Sequence, residues 1–249
     1  MTSRFIKKVL PILFAGLFFA ACTIYQSLWS PAYVTHYFTD LKEITLEVST
    51  GDPCLHIYLM TESSCGIHSR GEDKELYDEL CRKHHDTAYN QRVSLIDGTI
   101  VESPAYSGID FLSVDVCTDK DFDALHPAGS SLSDIVRFFS LSPYRYILNG
   151  YSTDYGFDFD ALSDSGQKGM EAHKRRKGTG HDELCPIDKL VKDLEPGDLT
   201  LLGEGSFYPI WVGSLYFETQ PDTPGEYTIT LTMRTDTDEV FSANAVVTW

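Results

Sequence analysis

The sequence predicts a mainly β protein, an immunoglobulin-like β-sandwich carrying inserted helices and long loops. Three observations lead there. Apolar and polar residues alternate with a period of two in run after run, which marks strands with one buried face. Threonines fill the polar positions of the last runs, which close as a terminal hairpin. Helical spacing is confined to two stretches, Glu72–Asn90 and Pro186–Glu195.

The first segment in the chain is an address. Arg4, Lys7 and Lys8 form a positive n-region, and Val9–Ala21 is an apolar run broken by Pro11 and Gly16. That run is too short for a bilayer-spanning helix and has the length of a signal h-region. It ends in Ala20-Ala21-Cys22, small residues before a cysteine, as in a bacterial lipobox whose thiol is acylated (palmitate among the acyl chains) and becomes the new N-terminus. A core helix, and ordinary secretion with cleavage after Ala21, are the competing readings. Residues 1–21 are read as a lipoprotein signal peptide with Cys22 as the lipidation site. Residues 22–40 are read as a lipid-anchored tether and 41–249 as one β-sandwich domain, since no linker divides them. Thr23 rather than Asp follows Cys22, and Thr23–Leu28 carries no charge. The expected location is the outer membrane, lipid-anchored and facing the periplasm, with exposure at the cell surface as the alternative.

Within the body, Ile44–Val48 alternates as a half-buried strand, and Leu55, Ile57 and Leu59 line one face of the next, opposite His56 and Tyr58. Glu72–Asn90 reads as a helix through Leu76, Leu80 and Ala88, with Tyr77 and Cys81 beside them; its acids come early and its bases late, as the helix dipole favours. Leu112, Val114 and Val116 form a strand face. Pro186–Glu195 reads as a short helix through Ile187, Leu190, Val191 and Leu194, stopped at Pro196-Gly197. Trp211, Gly213, Leu215 and Phe217 share another strand face. Tyr227, Ile229, Leu231 and Met233 interleave with threonines, Thr235–Glu239 turns the chain, and Phe241, Ala243, Ala245, Val247 and Trp249 complete the hairpin.

With 20 Lys and Arg against 37 Asp and Glu the chain carries a formal charge of −17, which repels phosphate backbones and excludes nucleic acid as a partner. Removing residues 1–21 deletes three cations and no anion. The run Thr118-Asp119-Lys120-Asp121-Phe122-Asp123-Ala124-Leu125-His126-Pro127-Ala128-Gly129-Ser130-Ser131-Leu132-Ser133-Asp134-Ile135 resembles a stretch in a family of envelope lipoproteins from gut-commensal Gram-negative bacteria. The lipobox and the threonine-rich hairpin resemble that family too. The resemblance implies an outer-membrane lipoprotein with a sandwich-like body; it assigns neither activity nor catalytic residues.

Six cysteines in an exported chain point to disulfides. With Cys22 lipidated, Cys54, Cys65, Cys81, Cys117 and Cys185 remain, an odd set. Cys65–Cys81 is the expected local staple; zinc on Cys81 and His85 lacks two further ligands. Asp119, Asp121 and Asp123 occupy the first three ligand positions of a calcium loop, but Ala124 and Ser130 stand where the turn Gly and bidentate Glu belong. That run, like Asp158, Asp160 and Asp164 before Gly166, is read as a solvated loop, and no cofactor is expected. Lys174–Lys177 is a basic run in a Gly-flanked loop, an anion site or a solvated surface. Asp86-Thr87-Ala88 resembles the short periplasmic O-glycosylation pattern of gut-commensal bacteria, with Thr87 as acceptor. His84-His85 complements a helix end. Tyr144, Tyr146, Tyr151 and Tyr155 are candidates to stack on sugar rings. No nucleophile or phosphate-loop motif stands out. The function expected is therefore a non-catalytic binding or structural module of the envelope, its partners the membrane through the lipid and an envelope protein or glycan. The alternative is a carboxylate-dependent hydrolase acting on a glycan or peptide.

Overall fold

The computed structural model describes residues 25–49, 54–96, 99–100, 105–154, 158–177, 183–203 and 209–249, with side chains for all of these except 25–28, 94–96, 99–100 and 175–177. The signal segment and Cys22 lie outside the described residues.

The fold is mainly β, with sheets stacked as sandwich-like layers and few helices. A six-stranded sheet runs in the order β6 (Ala105–Ser107), β2 (His36–Val48), β3 (Cys54–Gly66), β10 (Ile210–Phe217), β8 (Val136–Ser142), β9 (Cys185–Leu190). Its pairs are antiparallel except β2 with β6. Against one face lies a three-stranded antiparallel sheet, β12 (Val240–Thr248), β11 (Glu226–Thr235), β7 (Phe111–Thr118). Between them sits the main core: Phe38, Ile44, Leu55, Ile57, Leu59, Phe138 and Leu215 on one side, Val114, Val116, Tyr227, Ile229, Leu231 and Met233 on the other. The opposite face of the large sheet is covered by helix α1 (Glu72–Lys83) and the short α2 (Tyr144–Leu148), over a second core holding Tyr37, Tyr77, Leu80, Cys81, Phe139, Tyr146 and Trp211. A third, small sheet joins β1 (Tyr25–Ser30), β4 (Gln91–Ile96) and β5 (Thr99–Ile100).

This two-sided burial lets the central strand β10 bury residues on both of its faces. In β10 every residue but Phe217 is buried. A bulge between Trp211 and Gly213 then breaks the parity, so Trp211 joins the second core while Leu215 stays with the first. A register shift at the start of β7 likewise puts Phe111, not Leu112, against the core.

Four sequence expectations are corrected. The stretch read as a tether supplies β1 and the first residues of β2, with Ala32, Val34 and Tyr37 almost fully buried. The helix expected to Asn90 stops at Lys83, because His85 takes a left-handed φ of 59° and turns the chain back. Pro186–Glu195 is not a helix: Cys185–Leu190 is an edge strand on β8, where Pro186 owes no donor to a second neighbour, and a 3₁₀ turn follows at Val191–Asp193. Pro196 opens a further 3₁₀ turn, Pro196–Leu199, rather than ending a helix. The fourth concerns Lys174–Lys177, which is the last turn of helix α3 (Asp164–Lys177) and not a loop. Ser163 caps this helix through Gly166 N–H at 3.0 Å and is itself held by the Asp188 carboxylate.

Candidate functional site

The most organised surface feature grows from the end of α1. Asp86 N–H returns to the Cys81 carbonyl at 2.8 Å, which aims the carboxylate inward. Asp86 has no exposed surface and accepts from Tyr33 N–H at 2.7 Å, Val34 N–H at 2.8 Å and the Tyr151 hydroxyl at 3.0 Å. The Tyr151 oxygen in turn accepts from Ala88 N–H at 3.1 Å, and Tyr89 N–H donates to the Pro31 carbonyl at 2.8 Å. Burial pushes the Asp86 carboxyl up, and the two backbone donors oppose that rise.

Around it four tyrosines form a closed circuit. Ring centroids are 5.4 Å apart for Tyr33–Tyr89, 5.3 Å for Tyr89–Tyr151, 5.8 Å for Tyr151–Tyr146 and 5.2 Å for Tyr146–Tyr33, with interplanar angles between 59° and 82°. Three of the four pairs are edge-to-face, a favoured aromatic geometry, and Tyr89–Tyr151 is tilted. Tyr146 is buried, and Tyr33, Tyr89 and Tyr151 sit half-buried at the solvent boundary. Burial holds the Tyr146 phenol up at about 12, so the hydroxyl stays protonated. Tyr151 itself has a φ of 62°, and His85 and Asn90 in the facing loop have φ of 59° and 49°. A bulky residue in that region costs about 1–3 kcal/mol, a strain that concentrates at functional surfaces.

Of the sequence candidates, Tyr146 and Tyr151 are in this cluster. Tyr144 lies apart, in a shallow cleft with Ser142, Arg145, Cys185, Ile187, Gly197 and Asp198. Tyr155 is outside the described residues. Thr87 is exposed on the loop beside the cluster, while its neighbour Asp86 is buried. Cys65 and Cys81 share the second core as free buried thiols, each pushed up to about 11 by burial. A thiol so placed is unreactive. Cys54 and Cys185 are also buried thiols, and Cys117 is half-exposed.

Asp119, Asp121 and Asp123 do not converge. Asp119 accepts from Thr228 N–H at 2.8 Å, Asp121 from Ala128 N–H at 2.8 Å, and Asp123 from Leu125 and His126 N–H at 2.7 and 2.9 Å. Among the described residues no group of three or more side chains is arranged for a metal ion. Asp164 begins α3, and Asp158 accepts from Asp160 N–H at the head of a 3₁₀ turn. His84 does more than complement a helix end: its Nε2 lies 3.1 Å from both Asp110 oxygens, while Nδ1 has no hydrogen-bond partner among the described residues.

A serine–histidine contact that sequence reading missed joins Ser214 Oγ to His56 Nδ1 at 2.8 Å, with Trp211 Nε1–H donating to the same oxygen at 3.3 Å. Ser214 is 2% exposed, so the pair is closed to a substrate. Tyr33, Tyr89 and the inward role of Asp86 were also missed, because residues 33, 89, 146 and 151 meet only through the tertiary fold. Compared with protein-family models, curated proteins and solved structures, the chain matches none.

Proposed function

We propose that this protein is a lipid-anchored module of the cell envelope that binds a partner, an envelope protein or a glycan, without catalysing a reaction. The observation that carries the reading is the tyrosine cluster over Asp86, rigid, half-exposed and backed by left-handed backbone at His85, Asn90 and Tyr151. Pre-organised aromatic surface is what a binding face uses, since rigid rings lose little entropy on contact. The anchor rests on the basic n-region, the short apolar run and Ala20-Ala21-Cys22. No helix among the described residues is long and apolar enough to cross a membrane.

A hydrolase would need two carboxyl groups facing one accessible space. The sunken carboxylates Asp86, Asp110, Asp188 and Asp198 are instead each held by internal hydrogen bonds. Two experiments test the reading. Metabolic labelling with a fatty-acid analogue should mark the native chain and not Cys22→Ser; equal labelling of both sinks the anchor. Envelope pull-down and a glycan array should give a ligand whose retention drops with Tyr89→Ala, and a ligand indifferent to the tyrosines would move the binding face elsewhere.

A further inference from the structure

We infer that the tyrosine circuit of Tyr33, Tyr89, Tyr151 and Tyr146, with Asp86 beneath it, is a binding site for an organic ammonium group. The inference deepens the binding role proposed above and rests on it.

Three of the four sunken carboxylates Asp86, Asp110, Asp188 and Asp198 have a cation in contact. Asp110 is met by Lys83 Nζ at 2.8 Å and by His84. Asp188 is met by Arg137 at 3.3 Å. Asp198 is met by Lys189 at 2.6 Å and by Arg145 at 3.7 Å. Asp86 is the exception. Its three partners are two backbone amides and a phenol, all neutral. An acceptor-only group with three donors is satisfied as the carboxylate, so a negative charge stands under the tyrosines without a cation in contact. His84 lies within electrostatic reach but gives its Nε2 to Asp110. Glu183 adds a second charge. It lies within electrostatic reach of both Tyr89 and Tyr146, is half-buried, and makes no ion pair or side-chain hydrogen bond with a described residue.

Among the described residues, two carboxylates with no cation in contact and several tyrosine rings make a field of one sign. The faces of the rings carry the negative end of the aromatic quadrupole, which attracts cations. A chain of formal charge −17 strengthens that field over distance. An anion is repelled here. A neutral sugar gains from the rings but has no use for the charges. An alkylammonium head uses both, and a lysine side chain of a protein partner or a small free quaternary ammonium supplies the same chemistry.

The test is titration of the full-length chain with tetramethylammonium and with Nα-acetyl-lysine methylamide, against methyl glucoside, read by tyrosine fluorescence and calorimetry. Saturable binding of an ammonium is expected, weakened about three- to tenfold by Glu183→Gln and by high salt. Glu183 is half-exposed, so this variant should keep the native melting temperature, and a thermal melt checks it. Tighter binding of the lysine compound points to a protein partner; tighter tetramethylammonium points to a small quaternary amine. No saturable binding of either ammonium, or an affinity unchanged by Glu183→Gln, overturns the inference. If that failure comes with a glycan or protein ligand still lost in Tyr89→Ala, the binding role stands and only the ammonium assignment falls.

Discussion

His126 closes the loop between Asp119 and Asp134 with both of its ring nitrogens. Nδ1 lies 2.8 Å from the Asp123 carboxylate and Nε2 2.9 Å from Asp134, although the imidazole is almost buried. The loop needs this clamp because its inner residue, Phe122, is fully buried against Phe217, Tyr227 and Trp249, while Leu125 stands 83% exposed at the tip. The bonds to Asp123 and Asp134 hold the imidazole above its ordinary value, and the imidazolium holds both carboxyls below theirs. The signs fix a window. The histidine contribution is fully present below about pH 6.5, the unfolded value, and is lost as pH rises through the raised folded one. The carboxylate contributions are present above about pH 3.9 and lost as pH falls through the lowered values. Loop protection should therefore peak between these limits. Hydrogen exchange at the Leu125 and His126 amides, followed across pH, should show that peak in the native chain and lose its alkaline fall in His126→Gln. An alkaline fall of equal size in the variant would exclude His126 as its source. Asp121, Asp123 and His126 thus hold this loop in shape.

Strands with one wet face were legible in the sequence because a period of two survives wherever the pairing is regular. β11 is the clear case: Tyr227, Ile229, Leu231 and Met233 are all buried, and Thr230 lies on the outer face with its hydroxyl donating to Asn244 Oδ1 at 2.7 Å. Leu231→Ala should cost about 2–5 kcal/mol and Thr230→Ala about 0.5 kcal/mol, so the two thermal melts should separate widely. Equal melting points would mean that the core face has been misassigned. Parity failed where bulges intervene, at Trp211 and Phe111, since an inserted residue swaps faces without changing composition. β9 misled for another reason: a helix-like spacing of Ile187, Leu190, Val191 and Leu194 is met by an edge strand and a 3₁₀ turn that both drop apolar residues onto the main core. Helix α3 lacks an apolar stripe in the sequence because Gly166 and Gly169 occupy core-facing positions. A Cβ on Gly169 would stand 2.4 Å from ring carbons of fully buried Phe139, so the helix can lie on the sheet only with glycine there. Helix propensity alone favours Gly169→Ala by about 1 kcal/mol. The clash should win and lower stability by about 1–3 kcal/mol, which a denaturant titration reads directly. A stabilised variant would mean that α3 rides farther from β8.

At the scale of the whole molecule, one ionic cluster ties the helical layer to the sandwich. Lys83 and His84, at the end of α1, reach Asp110, which leads into β7. Lys83 Nζ also reaches Asp236 at 2.7 Å in the β11–β12 turn, and Asp236 N–H donates to the Asp110 carbonyl at 3.0 Å. Three segments far apart in sequence thus meet around the Lys83 ammonium and Asp110. Burial alone would raise the Asp110 carboxyl, but the bonds from His84 and Lys83 outweigh it and hold it below the usual range. Its contribution is accordingly present above about pH 3.9 and is lost as pH falls through the lowered folded value. Asp110→Ala strands a fully buried imidazole and a half-buried ammonium, and the lower part of the range for breaking a buried pair, about 3 kcal/mol, is the expected loss. Asp236→Ala removes a more exposed partner and should cost at most about 1 kcal/mol. The two should also differ in kind. Because α1 packs on the outer face of the large sheet, freeing it leaves the main core between the two sheets in place, and the helix should open before the sandwich does. Native-state hydrogen exchange of Asp110→Asn, which keeps the shape and removes the charge, should therefore raise exchange at α1 amides such as Leu80 and Cys81 while Ile229 and Leu231 hold their protection. At a pH low enough to protonate Asp110 in the native chain, the two proteins should exchange alike. Uniform loss of protection across α1 and β11 would show one cooperative unit, and the cluster would then be a part of a single core rather than the tie between two layers.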